Sequence, residues 1–152
     1  MDDEHATTYR STRDRAHPRC RLCGDEPADL PELQFQCADT GIWARFQATE
    51  RQEGYAGWLH GGVAAAVLDA ACTNALFARG VTAVTAKLEL SYRHPLFLHT
   101  PITVIARLVD QRAGAWRVRA SLHQGDRRAV SATALFMPAA VTKTATGEKA
   151  TG

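Results

Sequence analysis

Apolar positions repeat every two residues over most of the chain and switch to a helical period in one place. Leu33, Phe35 and Cys37 alternate with polar neighbours, Asp39-Thr40-Gly41 offers a turn, and Ile42, Ala44 and Phe46 resume the alternation. That pattern predicts a hairpin with one half-buried face. Val84 to Tyr92 alternates again, as do Ile102, Val104, Ala106 and Leu108, then Trp116, Val118, Ala120 and Leu122, then Val130, Ala132, Ala134 and Phe136. These predict four more strands. Pro95 and Pro101 lie in the first connection between them, whereas Gly114 and Gly125-Asp126 mark connections short enough to join antiparallel neighbours. The final strands therefore read as a meander.

The two-residue period breaks after His60-Gly61-Gly62, where an alanine-rich stretch runs from Val63 to Arg79 and meets Gly80. Alanine has the best helix propensity, Arg79 suits the negative end of the helix, and Gly80 fits a left-handed stop. Apart from Asp69, Thr73 and Asn74 the stretch is nearly apolar up to Arg79. It leaves no broad face for water, so the helix must be buried. One buried helix with five or six strands is satisfied most simply by an antiparallel sheet curled around it, an α+β architecture. The alanines let strands or a second subunit approach closely, and one helix leaves part of such a sheet needing cover. Self-association is expected.

Composition narrows the picture. The 152 residues, 45% of them hydrophobic and 22% charged, suit one globular domain. A net charge of +2 gives no electrostatic case for a nucleic-acid partner. Residues 1–19 mix charges with Ser, Thr and Pro and carry no apolar period, so a flexible arm is expected there. A polar tail is expected over 139–152, which leaves 20–138 as the folded body. The start Met1-Asp2-Asp3-Glu4 lacks the form of a secretory signal, and the longest apolar run, Val63 to Leu68, falls far short of the ~20 residues of a membrane span. A cytoplasmic protein with no membrane partner is expected. Cys20, Cys23, Cys37 and Cys72 then read as reduced thiols. His17, Cys20, Cys23 and Cys37 include metal-ligand spacing but no second CxxC, so no metal is assigned.

The chemistry concentrates at the helix start. Gly61 and Gly62 expose N–H groups that the first helical turn cannot satisfy, at the positive end of the helix dipole. A carbonyl gaining negative charge there would be stabilised, and one such donor is typically worth ~3 kcal/mol of barrier. The plainer reading is a tight turn and close packing. Asp69 stands nine positions after His60 among Val67, Leu68, Ala70 and Ala71. Burying an unpartnered carboxylate is costly, so a structural Asp would have to be capped, exposed or bonded to Thr73; otherwise Asp69 is a nucleophile or general base. On one straight helix nine residues span about 13 Å, too far for both ends to reach one carbonyl. The separation makes sense if the helix start of one subunit faces the helix middle of another.

Gly54 to Gly62, Leu68-Asp69 and Val84-Thr85-Ala86-Lys87-Leu88-Glu89-Leu90-Ser91-Tyr92-Arg93-His94-Pro95 together resemble the hotdog-fold acyl-CoA thioesterases of the phenylacetate-pathway type, within the 4-hydroxybenzoyl-CoA thioesterase superfamily. Cys20-Arg-Leu-Cys23-Gly24 resembles the opening of one subgroup. The likeness covers about 20–138. It implies a helix wrapped by a sheet, homodimers that pair into tetramers, and hydrolysis of an acyl-CoA thioester held between subunits, with no cofactor beyond the coenzyme A part of the substrate. It implies that the Gly62 N–H polarises the carbonyl, that Asp69 of the facing subunit attacks or activates water, that Thr85 positions that water, and that His60 shapes the loop. Some relatives carry Asn or Gln before the motif to help bind the carbonyl. Here Gly54 holds that position, with Gln52 nearby.

Gly61, Trp58, Tyr55, Arg93 and His94 complete the expected substrate site, and Phe77 and Phe97 add aromatic surface for an acyl group or for the core. His99 joins His94 as a candidate for the pocket mouth. Arg112, Arg117, Arg119, Arg127 and Arg128 suit either coenzyme A phosphates or a solvated face. The other reading of the whole is a non-catalytic acyl-CoA-binding module, against which Asp69 and Thr85 argue.

Overall fold

The computed structural model describes residues 3–18 and 30–138. Helix α1 spans Asp3–Ala16 and α2 spans Gly61–Phe77, while the strands are β1 Gln36–Ala38, β2 Gly41–Phe46, β3 Ala83–Tyr92, β4 Ile102–Arg112, β5 Ala115–Gln124 and β6 Arg127–Pro138. A short 3-10 helix covers Glu50–Gln52. The six strands form one antiparallel sheet in the order β1-β2-β4-β5-β6-β3. The hairpin and the meander are those the alternation predicts. After α2 the chain continues as β3 at the far edge, where among the described residues it pairs only with β6.

The alternation sorts the strand faces. Ile42, Ala44, Ile102, Val104, Val118, Leu122, Ala134 and Phe136 turn inward and are at most 3% exposed. They meet Val67, Leu68, Ala71, Cys72, Leu76 and Phe77 of α2, which are equally buried. The small residues Ala44, Ala106, Ala120, Ala132 and Ala134 give the larger helix side chains room to seat. Backbone approach is tightest at Gly41, where a Cβ would sit 2.1 Å from the Ala106 carbonyl oxygen. The helix stops as expected: Gly80 has φ +71°, its N–H donates to the Phe77 carbonyl at 2.9 Å, and the Val81 N–H donates to the Leu76 carbonyl at 3.0 Å. These two bonds form a Schellman motif, which requires the left-handed conformation that glycine adopts without strain. A helix held in a curled antiparallel sheet is the hotdog fold that the resemblance implies.

The amino-terminal segment departs from expectation. Residues 3–16 form α1 instead of a loose arm, with Asp3 and Glu4 in its first turn and Arg13 and Arg15 in its last, each complementing the helix dipole. The stripe that docks α1 is narrow, which is why no apolar period revealed it: only Tyr9 and Thr12 are buried. The tie is polar. Tyr9 Oη donates to Asn74 Oδ1 at 3.0 Å, and Asn74 Nδ2 donates to the Ala70 carbonyl at 2.7 Å, so a fully buried amide in α2 is satisfied from a segment 65 residues away. His17 continues the contact, its ring edge-on to Phe77 at 4.9 Å. Cys20 and Cys23 and the expected tail over 139–152 lie outside the described residues. Among the described residues, no helix is long and apolar enough to cross a membrane, and no cluster of His, Cys, Asp or Glu has the makings of a metal site.

Replacing Tyr9 by Phe leaves Asn74 Oδ1 buried without that donor. The change is expected to lower stability by about 1–3 kcal/mol in urea unfolding, whereas Thr7→Ala, on the exposed side of α1, is expected to change it little. Equal stability of Tyr9→Phe and the parent would contradict the docked helix.

Candidate active site

The helix start is built by the segment before it. Thr49 caps the 3-10 helix, with its N–H and Oγ1 both donating to Gln52 Oε1 at 2.9 and 3.2 Å, and the Gln52 carbonyl then accepts from the His60 N–H at 2.8 Å. Gln52 is thus committed to holding the loop. Gly54 packs on His60, and a Cβ there would lie 3.0 Å from the His60 Cα, which leaves no room for a carbonyl-binding side chain. Between them the loop is pinned by the Leu59 N–H donating to the Leu96 carbonyl at 2.8 Å. Tyr55 and Trp58 stack edge to face at 6.0 Å on its outer side.

His60 is the N-cap of α2, with φ −59° and ψ 131°. Its Nδ1 accepts from the Gly62 N–H at 2.8 Å. This corrects the expectation that the Gly62 N–H faces the substrate, because the capping geometry directs an imidazole nitrogen onto that donor. The bond also sets the tautomer: with Nδ1 accepting, the neutral ring carries its proton on Nε2. Gly61 behaves differently. Its N–H has no hydrogen-bond partner among the described residues, while its carbonyl accepts from Tyr92 Oη at 2.7 Å. Burial pushes the Tyr92 phenol up, which keeps it a donor. Gly61 lies in the wall of a cavity of about 360 Å³ with Tyr55, Trp58, Tyr92, Arg93 and His94. Arg93 and His94 are held there by their N–H groups, both of which donate to the Ala129 carbonyl. Tyr92 is the residue not singled out from the sequence, although the period that turns Leu88 and Leu90 toward the helix extends to it.

Asp69 forms the second half of the site. Its carboxylate is half-buried, and Oδ1 accepts from Thr85 Oγ1 at 2.8 Å. Thr73, the helical neighbour that offered a structural role, bonds the Asp69 main-chain carbonyl at 2.9 Å instead. Thr85 reaches the carboxylate because β3 carries an irregularity between Thr85 and Lys87. With Leu88 and Leu90 facing the helix, strict alternation would turn residue 85 outward; the extra residue Ala86 reverses it, so Thr85 pairs with inward-facing Phe136. The charge of Asp69 is felt nearby: the Cys72 thiol is pushed up to about 12 by burial and by Asp69.

The remaining candidates separate. His99 is away from the cavity in a pair with Glu50, Nε2 to Oε1 at 2.6 Å, which holds the Glu50 carboxyl below its usual range. Arg117 is bonded to Asp110. Phe77 is core, and Phe97 is exposed. Two clusters result on one helix, Gly61 with the aromatic cavity at its start and Asp69 with Thr85 in its middle.

Known structures share this framework. A thioesterase superfamily protein superposes with a TM-score of 0.70 at 26% identity, the match covering 76% of this chain and 61% of that one. A phenylacetic acid degradation-related protein from Ralstonia eutropha gives 0.63 at 23%, covering 69% and 83%. A hypothetical thioesterase from Streptococcus pneumoniae solved with coenzyme A gives 0.65 at 17%, covering 70% and 87%; structures of two of its variants also match, one with a threonine and one with an aspartate changed to alanine. No curated protein matches the sequence. The thioesterase superfamily itself matches residues 56–131, half of the chain, from the loop before His60 into the first residues of β6. This chain belongs to the thioesterase superfamily.

Proposed function

We propose that the protein hydrolyses an acyl-CoA thioester at a site formed between two copies, the start of α2 from one and the middle of α2 from the other. The observation that carries this reading is the half-buried Asp69 carboxylate, which lies beside an edge strand and bonds Thr85 rather than a cation. β3 is ten residues long and its outer edge has no strand partner among the described residues. A long unpaired edge is a ready template for a second copy, and pairing there would bring each Asp69 toward its partner's helix start.

In this arrangement the acyl group enters the cavity of Tyr55, Trp58 and Tyr92, and the thioester carbonyl oxygen takes the free Gly61 N–H at the positive end of α2. Tyr92 supports the donor by bonding the carbonyl oxygen of the same residue. Thr85 and Asp69, both of the partner subunit, hold a water between them and the carbonyl carbon. The carboxylate takes a proton from that water as its oxygen adds to the carbonyl carbon, and the tetrahedral intermediate collapses with loss of the coenzyme A thiolate. Direct addition of the carboxylate, with loss of the coenzyme A thiolate to give an anhydride that water then opens, uses the same geometry. The spacing supports the pair: the aspartate and threonine changed in the Streptococcus pneumoniae variants are sixteen positions apart, as are Asp69 and Thr85. A non-catalytic binding module would have no use for this carboxylate.

Asp69→Asn is expected to cut the rate of thiol release from an acyl-CoA panel by roughly 10²–10⁴-fold while binding persists. Full hydrolysis by that variant would refute the assignment. Gly61→Pro is expected to lower kcat by about 10²–10³-fold, since it removes one N–H and little else. Proline is favoured at the first helical position, and His60 already has the extended conformation that a following proline requires. There is also space, because a Cβ at Gly61 would come no closer than 3.6 Å to the Tyr92 ring. Unchanged kcat with a native circular dichroism spectrum would exclude Gly61 as the donor.

A further inference from the structure

A second cavity lies away from the candidate active site. It is a groove of about 600 Å³ on the outer face of the sheet, across β2, β4, β5 and β6. Its side chains come from the positions that alternate with the core. Arg107 stands opposite Arg119, and Arg119 opposite Thr133; Trp43, Ile105, Ser121 and Ser131 form the next row across the sheet; His123 is opposite Arg128. Ser121 and Ser131 thus lie between the Arg107–Arg119 row and Arg128, Thr133 stands beside Arg119, and the Ser121 hydroxyl bonds His123 Nε2 at 2.8 Å. Among the described residues no carboxylate lines the groove. Of the acids around it, Asp110 pairs with Arg117 within electrostatic reach of Arg119, Glu89 opposite Thr133 pairs with Lys87, and Asp39 lies in the turn between Ala38 and Thr40. Arg107 and Arg119 make no ion pair among the described residues, and like charges directly opposite across a strand pair are destabilising.

A sheet face that places unpaired guanidinium groups around a floor of hydroxyls is complementary to a phosphate group. At the β2 end, Trp43 and Ile105 add an apolar flank where a planar ring can rest. We propose that this groove binds a phosphorylated nucleotide, its phosphates held by Arg107, Arg119 and Arg128 with the serine and threonine hydroxyls, and its base against Trp43. Gly61, Asp69 and Thr85 lie on the concave side with α2, so the groove is separate from the thioester site of the same protomer. The proposal stands whether or not the hydrolytic reading does.

Calorimetry with inorganic pyrophosphate and with adenosine diphosphate, alongside tryptophan fluorescence, tests it. Both probes are expected to bind, the nucleotide more tightly and with quenching. Arg107→Gln and Arg119→Gln, both at exposed positions, are each expected to weaken binding roughly tenfold. Ser131→Ala is expected to weaken it less, and Thr7→Ala, on the exposed side of α1, not at all. Absence of heat at millimolar pyrophosphate, pyrophosphate binding that survives in the double arginine variant, or loss of binding in Thr7→Ala would each overturn the proposal. So would light scattering that shows the double arginine variant changing its oligomeric state, which would make the face a contact between copies.

Discussion

A carboxylate has to be accommodated inside the least polar helix of the molecule, and the position of the active site follows from how that is done. Asp69 is surrounded along the chain by residues that pack into the sheet, yet its side chain meets a hydroxyl from β3 instead of a cation. In the proposed mechanism the threonine orients the carboxylate without neutralising it, as a base requires. The extra residue in β3 is the device, because without it Thr85 would face away from the helix. The irregularity sits in the edge strand, so the local departure from regular pairing coincides with the surface that a second copy would cover.

Much of this was legible in the sequence because most of it depends on period. Alternating residues such as Val104, Val118 and Ala134 have one environment available to them, the face against α2, and the strands follow. Gly80 announced the helix end because only a left-handed residue closes it. Asp69 was legible for the opposite reason, as a residue the local pattern does not tolerate without cause.

The rest depended on contacts that period does not encode. Which N–H of Gly61 and Gly62 stays free is decided by the His60 ring, a matter of a single side-chain rotation at the cap. The docking of α1 rests on one phenol meeting one amide across 65 residues, which neither segment reveals alone. The β3 bulge is invisible to alternation because the residues on either side of it each fit the pattern of their own half. The outer groove was half legible: Arg119 and Arg128 read as suited to phosphates or to a solvated face, but the facing Arg107 needed the register of β4 against β5.

The central claim is that each site takes its donor from one subunit and its carboxylate from another. Mixing two inactive proteins tests it most directly. Asp69→Asn and Gly61→Pro are combined, allowed to exchange subunits under mild denaturant and returned to native conditions, with exchange verified by mass spectrometry. A mixed dimer carries one site with both defects and one with neither, so the account predicts recovery of about a quarter of wild-type acyl-CoA hydrolysis. A mixture that has exchanged subunits and remains as inactive as its parents would contradict it.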